Sequence, residues 1–401
     1  GYELARLGSK RILLVTDPGL VHSESTALAV DSLKKTGIDY TIFDQVRVEP
    51  NDSSLKDAIQ FSIQGNFDGF LAVGGGSSID TAKAANLYST YPADFLEYVN
   101  APIGKGTPVP GKLKPLVAVP TTAGTGSETT GVSIFDFEEL GAKTGIAHRS
   151  LRPDVGLVDP ENTRSLPKMV AACSGFDVLC HGIESYTALP FNQREAPESP
   201  AHRPAYQGSN PISDVWAIAA LEMVGSSIIP AVLDPEDMDA RTNMALAATF
   251  AGVGFGNAGV HLPHGMSYPV SGLVKNYTPE GYPGGKPIVP HGMAVILNAP
   301  AVFRYTAASN PARHMRAAQL LGADTSGADL ADSGELIAER LIYILKEIGV
   351  PNGLGGVGYE NDDIPSLVKG TLPQHRVTKL SPRPVDEPEL SQLFFESLKL
   401  W

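Results

Sequence analysis

Cysteine is almost missing from this chain: Cys173 and Cys180 are the only two among 401 residues. They fall about two turns apart on one expected helix and cannot bridge there, so a disulfide scaffold is excluded and the chain reads as intracellular. Positive charge is also short. Lys and Arg number 31 against 44 Asp and Glu, and the net charge of −13 repels phosphate backbones, which argues against nucleic acid as a partner. A small anionic substrate needs only a few local cations and stays open. No apolar run reaches the length that spans a bilayer, so no membrane segment is expected. The glycine-rich stretch GGGSS, residues 74–78, lacks the G-x-G-x-x-G spacing of the usual dinucleotide fingerprint, and the chain carries no tandem repeat.

What is present is ample core material, 42% hydrophobic against 19% charged residues, in a chain too long for one comfortable core. Two domains are expected, 1–166 and 167–401. In the first, KRILLVTD, a helix near 25–35, DYTIFDQV, a helix at 52–65 and FDGFLAVGGG alternate as in a parallel sheet clothed by helices. Further strands are expected at 115–120, 132–137 and 155–159. Beyond 166 the apolar period becomes helical, at 167–189, 212–233, 239–255, 291–305 and 333–348, with hardly a strand candidate. Residues 191–211 and 275–290 are rich in Pro, Gly and polar side chains and read as long loops of the kind that carry function.

Two constellations carry chemistry. In GFDVLCHGIESYTAL, Asp177 and His181 stand four apart on one helix face, shared by Glu184 and Cys173. Such a pair either holds a divalent cation or makes an ordinary helix hydrogen bond. His261 and His264 in NAGVHLPHGMSYPVSG, and His291 in VPHGMAVILNAP, sit in apolar surroundings that a solvated surface does not explain. The second constellation follows the third strand. Gly74, Gly75, Gly76, Ser77 and Ser78 open a helix, where close backbone approach and the helix N-terminus suit a pyrophosphate; a tight strand-to-helix turn is the plainer reading. PTTAGTGSE adds hydroxyls and glycines after another strand. Asp17, ending LLVTD, is placed either to accept from ribose hydroxyls, favouring NAD over NADP, or to form a turn before Pro18 and Gly19.

GGGSSID, PTTAGTGSE, FDVLCHGIE, HGMSYP and PHG, in this order, resemble the iron-containing alcohol dehydrogenases over essentially the whole chain. Within that family, VRVEPNDSS, RPAYQGSNPISD and LVKGTLPQHRVTKLSPRP look most like the hydroxyacid-oxoacid transhydrogenase branch, which is mitochondrial. The resemblance implies a dehydroquinate synthase-like fold: an α/β dinucleotide-binding domain with a parallel sheet, then an all-α metal-binding domain. It implies Fe²⁺ or Zn²⁺ on Asp177, His181, His264 and His291. It also implies NAD on Asp17, on Gly74 to Ser78 with Asp80, on Thr121, Thr122, Thr125 and Ser127, and on Lys143. Many members carry a second histidine four residues after the HGM ligand as a proton relay; here that place is Tyr268, and His261 is the other candidate.

The reaction so implied moves hydride from 4-hydroxybutyrate through bound NAD to 2-oxoglutarate, giving succinate semialdehyde and 2-hydroxyglutarate. An NAD-dependent alcohol dehydrogenase that releases NADH, and more distantly a lyase of the dehydroquinate synthase type, are the alternatives. Both acids need a cation for their carboxylates, and Arg203 and Lys275, then Lys286 and Arg376, are the candidates from their place beside the ligand-bearing segments. Homo-oligomerisation stays open.

Overall fold

After a short helix α1 (Tyr2–Arg6), β1 (Arg11–Val15) is buried at every residue but its first. Its residues divide by parity: Leu13 and Val15 join one apolar cluster, Ile12 and Leu14 another. A strand hydrophobic on both faces is the mark of a sheet covered on both sides. A computed structural model describes residues 1–140, 142–199, 203–282 and 285–401, which form two units, Gly1–Thr163 and Arg164–Trp401.

In the first unit, α2 (Glu24–Thr36), β2 (Asp39–Phe43), α3 (Asp52–Gly65), β3 (Gly69–Gly74), α4 (Gly76–Thr90) and β4 (Leu116–Pro120) follow β1. Ser23 caps α2 by accepting from the Thr26 N–H, and Asn51 with Ser54 forms a reciprocal capping box on α3. The expected strand β5 (Val132–Phe137) does not extend the parallel sheet. It pairs antiparallel with β6 (Ala142–Ala147), and its burial alternates residue by residue, as for a strand covered on one face only. β7 (Val155–Gly156) closes a five-stranded parallel sheet in the order β2-β1-β3-β4-β7. The register pairs Gly74 with Pro120, which sets the glycine turn and the PTTAGTGSE segment side by side.

The second unit is built of helices: α5 (Lys168–Thr187), α6 (Pro211–Leu233), α7 (Met238–Ala258), α8 (Leu262–Gly272), α9 (His291–Ile296), α10 (Ala299–Thr306), α11 (Pro311–Leu320), α12 (Ser333–Ile348), α13 (Ile364–Thr371), α14 (His375–Thr378) and α15 (Glu387–Ser397). The expectation that no run is long enough to span a bilayer fails here. α6, at 23 residues, is long and apolar enough to cross a membrane, because Asp214 and Glu222 interrupt its run without lowering its average much. It packs against α5 and α7 through Ala217, Leu221, Val224 and Ile228, as a core helix does. The helix expected at 291–305 is two: Pro300 has no N–H to give and its ring clashes with the carbonyl four residues back, so the chain breaks between Ile296 and Ala299. α8 was hidden by Pro263 and Pro269 at its two ends. It begins where α7 stops at Gly259, whose φ of 90° and tight fit against Leu380 and Tyr206 leave no room for a side chain.

Candidate metal centre

α5 carries Asp177 and His181 on its inner face, the first turn of α8 carries His264, and α9 opens with His291. Each of these histidines is followed by glycine, for the same reason. A Cβ on Gly182 would lie 2.9 Å from Leu221 Cδ2, one on Gly265 2.8 Å from Thr378 Cγ2, and one on Gly292 would run into the Cys173 carbonyl. The glycines let neighbouring segments close in, and the close approach aims the imidazoles inward.

The aim is at one atom. Nε2 of His181, His264 and His291 lie 3.5, 3.4 and 3.8 Å from Asp177 Oδ1. Asp177 Oδ1 and His264 Nε2 are buried and make no hydrogen bond among the described residues. Separations of this size are long for hydrogen bonds. They match the edge of a ligand tetrahedron, about 3.4 Å when metal–ligand bonds are 2.0–2.2 Å. Asp177, His181 and His264 form a buried trio with ligand atoms within 4.8 Å of one another.

Glu184, fully buried one turn beyond His181, fixes this geometry. Its Oε1 accepts from His264 Nδ1 at 2.6 Å, and its Oε2 accepts from the backbone N–H of His261 at 2.7 Å and of His264 at 3.4 Å. The carboxylate therefore caps α8 and leaves His264 Nε2 with a lone pair for a cation. Burial works to raise Asp177, yet the facing imidazoles of His181 and His291, with His264, hold its carboxyl well below the usual range. Burial drives His181 down to about 4 despite Asp177, so its ring is neutral near pH 7. For His264 burial is outweighed by Glu184 and Asp177, and its pKa rises to about 9, so a cation that binds Nε2 displaces a proton from it. Two buried carboxylates among imidazoles make a site that a divalent cation neutralises.

In the first unit the glycine turn meets the threonine segment directly. A Cβ on Gly75 would lie 3.1 Å from Thr122 Cγ2, one on Gly76 2.6 Å from Thr125 Cγ2, and one on Gly74 would collide with Ser78. Gly75 is the N-cap of α4 and offers no side-chain cap, and the buried Ser78 Oγ has no hydrogen-bond partner among the described residues. These groups suit an anion held by backbone N–H groups at a helix N-terminus. Asp17 Oδ1 accepts from the Gly19 N–H at 2.9 Å, so it does form the turn, while Oδ2 faces Gly74. Asp80 and Ser127 turn inward: Asp80 accepts from Ser127 Oγ at 2.5 Å and from the Ile134 N–H at 2.9 Å, with the buried Lys83 beside both. Lys143 is buried in ion pairs with Glu49 at 2.6 Å and Asp136 at 3.3 Å, and the Glu49 N–H donates to Ser77 Oγ.

Residues 1–160 match the family described as iron-containing alcohol dehydrogenase, and residues 205–398 match its C-terminal part. The chain belongs to the iron-containing alcohol dehydrogenase family. It is 57% identical over its whole length to the hydroxyacid-oxoacid transhydrogenase, mitochondrial, of Bos taurus, covering 86% of that protein, and 55% identical to that of Homo sapiens with the same coverage. A structure of 1,3-propanediol oxidoreductase superposes with a TM-score of 0.86 at 28% identity, over 99% of this chain and 94% of the other. The fold is thus the α/β sheet domain and helical domain of iron-containing alcohol dehydrogenases.

Around this family's centre, the remaining candidates separate. Tyr268 stacks on His291 with ring centroids 6.4 Å apart, and its hydroxyl accepts from Arg376. His261 is not among the converging side chains. It lies fully buried with Nε2 3.1 Å from Thr187 Oγ1 and its ring edge-on to Phe303, a packing position at the start of α8. Lys275 is bound at 2.6 Å to Asp363, and Arg203 stands exposed in its loop. The role of Glu184 was missed beyond its shared helix face, since its partners lie 77 and 80 residues away.

Proposed function

We propose that this chain is a mitochondrial, metal-dependent hydroxyacid-oxoacid transhydrogenase that moves hydride from 4-hydroxybutyrate through NAD to 2-oxoglutarate. The observation that carries the reading is the convergence of three imidazole Nε2 atoms on one buried carboxylate oxygen that makes no hydrogen bond among the described residues. The branch comes from relatives that bear this activity in their names at 53–57% identity over the full chain.

Asp177, His181, His264 and His291 hold the divalent cation, with iron(II) the first choice in an iron-containing family and zinc compatible with the same donors. The bound cation supplies Lewis acidity, lowering the pKa of a substrate hydroxyl and polarising a carbonyl in the return half-reaction. Glu184 keeps His264 in the ligand tautomer. Gly74 to Ser78 receive the pyrophosphate of NAD, and Thr122 and Thr125 beside the turn, with Thr121 tied by its N–H to the Gly74 carbonyl, offer hydroxyls to the rest of the cofactor. Asp80, Ser127 and Lys143 serve by bracing these two segments, through the bonds between them and to Glu49. Asp17, with burial pushing its carboxyl above its ordinary range, accepts from ribose hydroxyls with the oxygen that Gly19 does not use. Tyr268, against His291, is the side chain placed to pass the hydroxyl proton onward.

Metal-reconstituted protein, assayed with 4-hydroxybutyrate with and without 2-oxoglutarate, tests the reading. Sustained turnover is expected only with the oxoacid, yielding succinate semialdehyde and 2-hydroxyglutarate. NADH accumulating in proportion to alcohol consumed, without any oxoacid, would instead make it a dehydrogenase that releases its cofactor.

A further inference from the structure

Arg376 is a cation without a counter-ion. Its guanidinium donates to the Tyr268 hydroxyl at 3.3 Å and lies over the Tyr206 ring at 5.1 Å. Its contacts among the described residues are these two tyrosines and no carboxylate, in a chain with 44 acidic side chains. The residue is exposed on one side, while its guanidinium rests on a buried cluster of Tyr206, Phe255, Val260, Tyr268, Val377 and Leu380. Two members of that cluster also back the metal centre: Phe255 stacks on His181 at 3.9 Å, and Tyr268 on His291. A single side chain therefore separates the guanidinium from a ligand ring, on a floor of aromatic groups.

Packing over a tyrosine explains an arginine stem, at about 0.5–1 kcal/mol for an exposed cation–π contact. It does not explain why a guanidinium beside the ligand-bearing helices has two phenols and no carboxylate for company. The two substrates of the transhydrogenase reading supply the reason, and the inference rests on that reading. In 4-hydroxybutyrate the reacting carbon is joined to a carboxylate through two methylenes; in 2-oxoglutarate the carbonyl carbon is joined to its distal carboxylate through two methylenes as well. Extended, both place the carboxylate carbon about 4 Å from the reacting carbon, from C–C bonds near 1.5 Å. One fixed cation can thus serve both half-reactions without rearrangement. We infer that Arg376 is the anchor for the distal carboxylate in both directions and is the ruler that selects acids with two methylenes between that carboxylate and the reacting carbon. Arg203 and Lys275 yield this place to it, one exposed in its loop and the other held by Asp363.

The test uses metal-loaded enzyme of equal metal content, native, Arg376→Met and Arg376→Lys. The substrates are the three-, four- and five-carbon ω-hydroxyacids and butan-1-ol, with 2-oxoglutarate as acceptor; butanoate is the dead-end ligand in calorimetry. Native enzyme is expected to prefer the four-carbon acid to its neighbours and to butan-1-ol. In Arg376→Met the kcat/KM ratio of four-carbon acid to butan-1-ol should fall about 100-fold, the length series should level, and butanoate should bind about 100-fold more weakly. Arg376→Lys, which keeps charge and stem but not the planar fork, should lie between. A native enzyme indifferent to the carboxylate overturns the transhydrogenase reading and the anchor together. A native preference that survives in Arg376→Met within about threefold overturns the anchor alone.

Discussion

At the glycine turn of the first unit, the groups offered to a ligand are backbone N–H groups left accessible by missing side chains, whereas in the second unit they are side-chain lone pairs forced together by helices. The difference shows in what is crowded. Around Gly74, Gly75 and Gly76 the threonine segment and Ser78 press so closely that a methyl has no place. Around Asp177 the glycines following His181, His264 and His291 admit the neighbouring segments, and the crowding is of nitrogen and oxygen acceptors 3.4–3.8 Å apart. A backbone site loses affinity by steric intrusion; a side-chain site loses it by losing a donor atom.

The sharpest way to break this comparison is His264→Ala. Removing one of four donors and stranding Glu184 should empty the metal site on dialysis and lower turnover at least about 10³-fold, read by metal analysis and by the coupled assay. NAD binding by the glycine turn should survive, measured by fluorescence titration. Loss of both functions together would show that the two sites are not independently built.

Glu184→Gln asks how far the side-chain site depends on its support. Both carboxylate oxygens of Glu184 accept hydrogen bonds, and an amide has only one acceptor, so either His264 Nδ1–H or the α8 N-terminus must face an NH₂ group. Metal affinity is expected to fall about 10- to 100-fold, with the four ligands intact. A lower melting temperature with unchanged metal affinity would reduce Glu184 to a helix cap.

The two sites were unequally legible in the sequence. Glycines in a row and histidines followed by glycine announce themselves, because few folds tolerate them without a reason, and the alternation of strands and helices before Thr163 is local. Glu184 was visible only as a neighbour on a helix face; what it does depends on His261 and His264, a long way along the chain. Lys143 looked like a cation for the cofactor, and only tertiary pairing with Glu49 and Asp136 shows its charge already matched. Lys275 was taken by Asp363 in the same manner. The helices α8, α13 and α15 each carry proline in or near the first turn, which reads as a break from sequence but is tolerated there since those N–H groups have no helical partner.

For the backbone site the corresponding intrusion is Gly76→Ala. Its Cβ would sit 2.6 Å from Thr125 Cγ2, and the threonine is flanked by the segment that holds Ser127 to Asp80. NAD affinity should drop about 30-fold, from about 2 kcal/mol of overpacking, while metal content stays at the native value. Adding Thr125→Ser, which deletes the methyl and lets the hydroxyl, otherwise 2.8 Å from the new Cβ, rotate into the vacated room, should recover most of the loss. Absence of that rescue would mean the glycine is needed for something other than room.

The smallest effect is expected from a buried histidine that belongs to neither site. His314 on α11 has both nitrogens satisfied within the protein, Nδ1 on the Asn310 carbonyl at 2.9 Å and Nε2 with Thr306 Oγ1 at 3.0 Å, in contrast to His264, whose Nε2 makes no hydrogen bond among the described residues. Burial pushes its pKa down to about 4, so the folded protein keeps it neutral where the unfolded chain, near 6.5, takes up a proton. Its contribution is therefore present above pH 6.5 and is lost as pH falls toward 4, at about 1 kcal/mol per pH unit. Denaturant unfolding of native protein and His314→Gln across that range should show the native slope steeper by that amount, with metal content equal at pH 7. Parallel slopes would place the acid sensitivity elsewhere, with His181, which burial also holds near 4 and which a bound cation would protect.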